Sequence, residues 1–213
     1  GSSVNSRSYL DKFIKFTVSF PDTFDDKNNQ SIHTSLVHWN TLLEVNLELT
    51  KSLGSCYEQT KELITAKPLS LREVESLFRH FEIYQKLSGN SINADKPLIS
   101  NIVKMIGVYV YCFAKNKSLL KLNTTQLIDT ILKTLEISHV SVDESNIYRT
   151  PQYQVAIYGL MEEANLNIPG LYQNHPQSRE LLSSYYRDMA QQNFFSFQNG
   201  KTLKNTIKTF SLT

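Results

Sequence analysis

The segment Pro68-Leu69-Ser70-Leu71-Arg72-Glu73-Val74-Glu75-Ser76-Leu77-Phe78 starts a helix cleanly and constrains the elements around it. Ser70 and Glu73 form an S-x-x-E capping box, in which each side chain takes up a backbone N–H that the first turn leaves unpaired. Behind the cap, Val74, Leu77, Phe78 and Phe81 recur at helical spacing, which buries that face and fixes Arg72 on a rigid element. A guanidinium held there can reach a phosphate bidentately or make a salt bridge. Taken alone, the salt bridge is the commoner outcome.

The rest of the chain is also rich in helix formers. Seven glycines and six prolines in 213 residues are few, which favours a mainly α protein. The pattern predicts helices over 31–53, 57–65, 70–87, 97–115, 124–135, 152–164 and 177–193. Gly54, Pro68 and Gly89-Asn90 act as stops, and short connections make an antiparallel bundle. Beyond residue 136 the pattern weakens, and 138–143 reads as a short strand or an extended linker. One segment departs from the helical rule. Phe13-Ile14-Lys15-Phe16-Thr17-Val18-Ser19-Phe20 is rich in β-branched and aromatic residues and stops at Pro21, so it reads as a strand leading into a polar loop over 22–30. A strand needs neighbours, and this one is expected to join a sheet supplied from outside the sequence.

A formal charge of +2 is too small to argue for a nucleic-acid partner, because phosphate-neutralising domains are strongly basic. The apolar run over 98–114 is interrupted by Asn101 and Lys104 and is too short to cross a bilayer, so it reads as a core helix. Cys56 and Cys112 lack metal-like spacing and read as reduced core residues, which points to a cytoplasmic setting. His33, His38, His80, His139 and His175 are scattered, and no zinc site can be argued from them. The acidic pairs Asp25-Asp26, Asp143-Glu144 and Glu162-Glu163 are adjacent, so on regular structure they diverge. Gly200-Lys201-Thr202 supplies only the second half of a phosphate-binding loop, with Phe195 where the first glycine belongs, and is read as coincidence. In the last segment Lys201, Lys204 and Lys208 fall on one helical face, opposite Leu203, Ile207 and Phe210. Such a helix either docks on the core with solvated lysines or binds a partner.

The order of elements carries a resemblance. Tyr9-Leu10-Asp11-Lys12-Phe13-Ile14-Lys15-Phe16 through Val18-Ser19-Phe20-Pro21, followed by helices and by Leu69-Ser70-Leu71-Arg72-Glu73-Val74-Glu75, resembles the C-terminal part of the KAP family of P-loop NTPases. The apolar helix Ile106-Gly107-Val108-Tyr109-Val110-Tyr111-Cys112-Phe113-Ala114-Lys115 also looks like one of that family. The likeness covers residues 9–133. It implies that 1–30 is the last strand of an NTPase core with its loop, 31–135 a helical lid, and 136–213 a helical extension of unknown role.

The family's Walker motifs lie N-terminal to this region and are not in the sequence. The resemblance therefore implies a C-terminal piece of a longer ATPase, which itself would bind ATP and Mg2+ mainly through the missing core. In the related AAA+ and STAND architectures an arginine at the start of a lid helix senses the γ-phosphate, and Arg72 would carry that role here; its alternative is an ion pair with Glu75 or Glu44. Lys201, Lys204 and Lys208 would bind a partner. The implied partners are the N-terminal core of the same protein and a homo-oligomer or second protein. The family's setting includes bacterial phage-defence ATPases. A different reading is an α-helical interaction module with no nucleotide chemistry, drawing on eleven tyrosines and eleven phenylalanines as interface anchors. A nucleic-acid binder ranks last, since its signal is limited to the three terminal lysines.

Overall fold

The computed structural model describes residues 23–25, 31–96, 98–115, 118–138, 142, 145–166, 178–190 and 198–212. The chain is mainly α. A short antiparallel hairpin, β1 (Thr23–Asp25) and β2 (Ser31–His33), precedes α1 (Thr34–Val45), α2 (Leu47–Leu53), α3 (Tyr57–Ala66), α4 (Leu71–Ser88) and α5 (Leu98–Phe113). After these come α6 (Thr124–Thr134), α7 (Gln152–Glu163), α8 (Ser178–Met189) and α9 (Asn199–Thr209).

The architecture is organised around α5. Asn101, Ile102, Val103, Met105, Ile106, Val108 and Val110 are all buried, so this helix is covered on every side. α4, α7 and α6 pack on it, and α9 makes its most extensive contact. Gly107 allows that contact, because a Cβ there would meet Thr206 Cγ2 of α9 at 2.8 Å. Gly159 plays the same part in α7, where a Cβ would strike the Tyr186 ring of α8 at 2.0 Å. One apolar core runs from Leu36 to Phe210, so it continues across residue 136.

The capped helix forms as its sequence dictates. Ser70 Oγ accepts the Glu73 N–H at 3.4 Å, and the Ser70 N–H donates to Glu73 Oε2 at 2.8 Å. Val74, Leu77, Phe78, Phe81 and Tyr84 face the core, and Trp39 of α1 meets Phe78 and Phe81 edge-on with centroids 5.5 and 5.8 Å apart. Gly89 closes α4 in the left-handed region at φ 63°, which suits glycine.

One expectation lies out of reach and two change. The strand expected over 13–20 lies outside the described residues. The loop expected over 22–30 contains β1 at its start, and β2 occupies the first three positions of the helix expected over 31–53. That helix is also broken in two at Asn46, whose Oδ1 accepts the Leu49 N–H at 3.0 Å and whose amide donates to Glu82 of α4. A short amide side chain competes with the backbone ladder, and here it ends one helix and caps the next. Of the uncertain stretch 138–143, only 138 and 142 are described, and neither is in a strand.

Candidate functional site

Arg72 stands in the first turn of α4, two residues after the cap. Its backbone is fixed by the capping box and by Val74 and Leu77 beneath it, while its side chain is exposed. Among the described residues it makes no ion pair or hydrogen bond. Neither expected alternative partner holds it: Glu75 faces His38 Nε2 at 3.4 Å, and Glu44 is not paired with it. The outcome is a guanidinium displayed from a rigid platform.

Lys201, Lys204 and Lys208 form the exposed row expected of α9, with Leu203, Ile207 and Phe210 buried behind them. None of the three has an ion pair among the described residues. Lys204 stands between two hollows. One, of about 330 Å3, lies against Leu119, Leu120 and Ile207; the other, of about 520 Å3, lies against Thr124, Glu163 and Lys201. Leu120 is half exposed at the edge of the first.

The start of α9 answers the question raised by Gly200-Lys201-Thr202. Glu163, at the end of α7, accepts the Asn199 N–H through Oε1 and the Gly200 N–H through Oε2, both at 3.0 Å. A carboxylate already fills the place where a phosphate would sit on a helix N-terminus. The tripeptide is therefore not a nucleotide loop. Burial raises the Glu163 pKa against the opposing effect of those N–H donors.

A third region was not legible in the sequence. A cleft of about 690 Å3 opens where the first turn of α4, the last turns of α5 and the length of α6 converge. Leu69, Phe113 and Leu122 give it apolar walls, and Tyr109 stands against Phe113 with centroids 4.7 Å apart. Tyr109 is 1% exposed, and its hydroxyl has no hydrogen-bond partner among the described residues. Burial, then the carboxylate of Glu73, push its pKa well above the ordinary phenol value, so the hydroxyl keeps its proton.

At the rim Lys67 pairs with Glu136 at 2.6 Å, and Lys133 with Asp129 at 2.6 Å. Glu136 adopts φ 56°, a left-handed backbone position just past α6 where glycine is usual. Residues from three separate stretches of sequence meet here, and no spacing within any one of them marks the cleft.

Among the described residues no group of three or more His, Cys, Asp and Glu side chains is placed to hold a metal ion, and no helix is long and apolar enough to cross a membrane. Comparison with family models, curated proteins and solved structures gives no match to this chain.

Proposed function

We propose that this chain is a nucleotide-responsive helical lid of a KAP-type P-loop NTPase, with Arg72 as the residue that reads the γ-phosphate held by the NTPase core. The observation that carries the reading is the state of Arg72: charged, exposed, without an ion pair or hydrogen bond among the described residues, and fixed at the start of a doubly capped helix. Ordering a long cation costs side-chain entropy, so a rigid backbone that aims it lowers the cost of meeting a phosphate. The resemblance over 9–133 supplies the family.

The residues described here fit one part of such a site. Arg72 could hold a terminal phosphate oxygen, whereas they offer no ligand cluster for Mg2+. Bound ATP would supply the phosphoryl group and its charge. Arg72 would neutralise that charge from the lid side, and loss of the phosphate would release the lid from the core. In the full-length protein Arg72→Ala should lower ATP turnover or ATP-dependent assembly at least tenfold, with the helical signal in circular dichroism unchanged. Turnover and assembly equal to wild type would remove the sensing role. The upstream reading frame should contain G-x-x-x-x-G-K-[ST]. A defence role against phage follows only from the family's setting and would be tested by plaque counts with R72A.

The α9 lysine row favours a second reading, an interaction module without nucleotide chemistry. A nucleotide-free assembly that Lys204→Glu breaks and Arg72→Ala leaves intact would put this reading first.

A further inference from the structure

We propose that this chain self-associates head to tail, with the corner over 44–48 of one copy seated in the hollow between α9 and the turn Leu119–Lys121 of the next. The proposal rests on the α9 lysine row used by the second reading and names what covers it, a second copy of the chain. The corner is held by a set of hydrogen bonds. Where α1 gives way to α2, the Asn46 N–H donates to the Leu43 carbonyl at 3.1 Å, and Asn46 Oδ1 accepts from the Leu49 N–H at 3.0 Å. The Thr50 hydroxyl lies 2.6 Å from the Leu43 carbonyl and 2.9 Å from that of Asn46, and the Asn46 amide donates to Glu82 of α4. This frame leaves the two flanking aliphatic side chains in water. Val45 is 80% exposed and Leu47 70%, the most exposed large apolar side chains among the described residues. Single exposed apolar residues scattered over a surface need no explanation, but two held out together on a bonded corner do. Glu44 and Glu48 stand on either side of them, both exposed and neither in an ion pair among the described residues.

The hollow carries the opposite features. Leu119 and Ile207 are buried beneath it, Leu120 is half exposed at its edge, and its volume is about 330 Å3. The charged residues that line it are Lys204 and Lys208, with no carboxylate among them, and neither ammonium has an ion pair among the described residues. Glu163, which shares the neighbouring hollow with Lys204, is already engaged by the Asn199 and Gly200 N–H groups. An occupant must therefore bring an apolar tip with negative charge beside it. The 44–48 corner has that composition, two aliphatic side chains between two carboxylates. Burying the tip removes apolar surface from water, and the opposed charges at its edges select this pairing over others. Because the two surfaces differ, each copy can give its corner to one neighbour and its hollow to another, which builds a closed ring or an open chain.

Sedimentation velocity on the whole chain at rising protein concentration and low salt reads the association. Mass above the monomer that grows with concentration is expected, and added salt should weaken it by screening the edge charges. Leu47→Ser, the double reversal E44K with E48K, and the double reversal K204E with K208E should each weaken association at least about tenfold. All five side chains are exposed, so circular dichroism should not change. Arg72→Ala should leave the association intact. Each double reversal alone sets like charges against each other at every contact. An equimolar mixture of the two restores opposite charges at every mixed contact and should associate as the wild type does. A wild type that stays monomeric at every concentration, association untouched by L47S, or a mixture that fails to recover would each overturn the proposal. If K204E with K208E breaks an assembly that L47S and the Glu44 and Glu48 reversal leave intact, the lysine row holds a different partner; the second reading then survives and self-association falls.

Discussion

The two halves of this molecule start their helices by different means. In residues 33–134 four helices carry local caps. The His33 ring accepts the Ser35 N–H, Asn46 accepts from Leu49, Ser70 and Glu73 cap α4, and Asn123 and Gln126 repeat that reciprocal box at α6. In the later part α7 begins at Pro151 and α9 at Gln198, and neither of those side chains caps its helix. Distant carboxylates do it instead. Glu62 of α3 accepts the Gln152 N–H at 2.8 Å, and Glu163 of α7 accepts the first two N–H groups of α9.

The difference has an electrostatic signature. Glu73 is solvated, and its bonds to Ser70 hold its pKa below the ordinary glutamate value. Glu62 is half-buried and Glu163 stays exposed, yet partial desolvation at the docked helix ends raises both pKa values although both accept backbone N–H groups. A local cap can form before the fold does, at the water's edge. A tertiary cap exists only once two helices have packed, and its carboxylate gives up part of its hydration to make it.

The largest expected effect removes the packing on which the local half rests. Phe78→Ala should cost about 3–5 kcal/mol in chemical denaturation, because the ring is buried against Trp39; an unaltered midpoint would show that α4 does not depend on that face. Glu163→Ala strips acceptors from two N–H groups at once and should cost about 1–3 kcal/mol. Hydrogen exchange in that variant should rise at α9 while α4 stays protected, and a uniform rise would erase the contrast between halves. Ser70→Ala should cost less, about 1 kcal/mol.

The pH dependence should separate the two cap types by sign. The cap bond of Glu73 stabilises the fold above the ordinary glutamate pKa and is lost as pH falls through the lowered folded value, so Glu73→Gln should flatten that acid loss. For Glu62 and Glu163 the folded state holds its proton to higher pH than the unfolded chain, so their contribution falls as pH rises from the ordinary glutamate range through the raised value. Paired denaturation series of Glu73→Gln and Glu163→Gln across that range should therefore bend in opposite directions. Parallel curves would remove the distinction. The smallest effect on stability is expected at Arg72, where Ala should change it by less than about 0.5 kcal/mol, since the side chain is exposed and makes no hydrogen bond or ion pair among the described residues.

This contrast explains what could be read in advance. α4 was legible to within a residue because its cap, its apolar stripe and its glycine stop are all local. The weakening pattern past residue 136 reflects helices whose starting signals sit elsewhere in the chain, on Glu62 and Glu163. The break at Asn46 is signalled by one asparagine in a run where Leu43, Leu47 and Leu53 keep near-helical spacing, although Leu47 is exposed. Of the candidate residues, the placement of Lys201, Lys204 and Lys208 on an outer face followed from spacing alone, whereas the cleft around Tyr109 left no trace in any window.

By itself the sequence determined that the chain is mainly helical, that Ser70 and Glu73 start α4, and that Arg72 rides on its first turn, because hydrogen bonds three residues apart and a 3.6-residue period are properties of a short segment. Only the tertiary structure decided that Glu163 closes the Gly200-Lys201-Thr202 turn, that Arg72 has no described partner, and that Tyr109, Lys115 and the α6 ion pairs meet in one cleft. Those outcomes depend on groups brought together from distant parts of the chain, and their energies come from burial and charge pairing that no local stretch can contain.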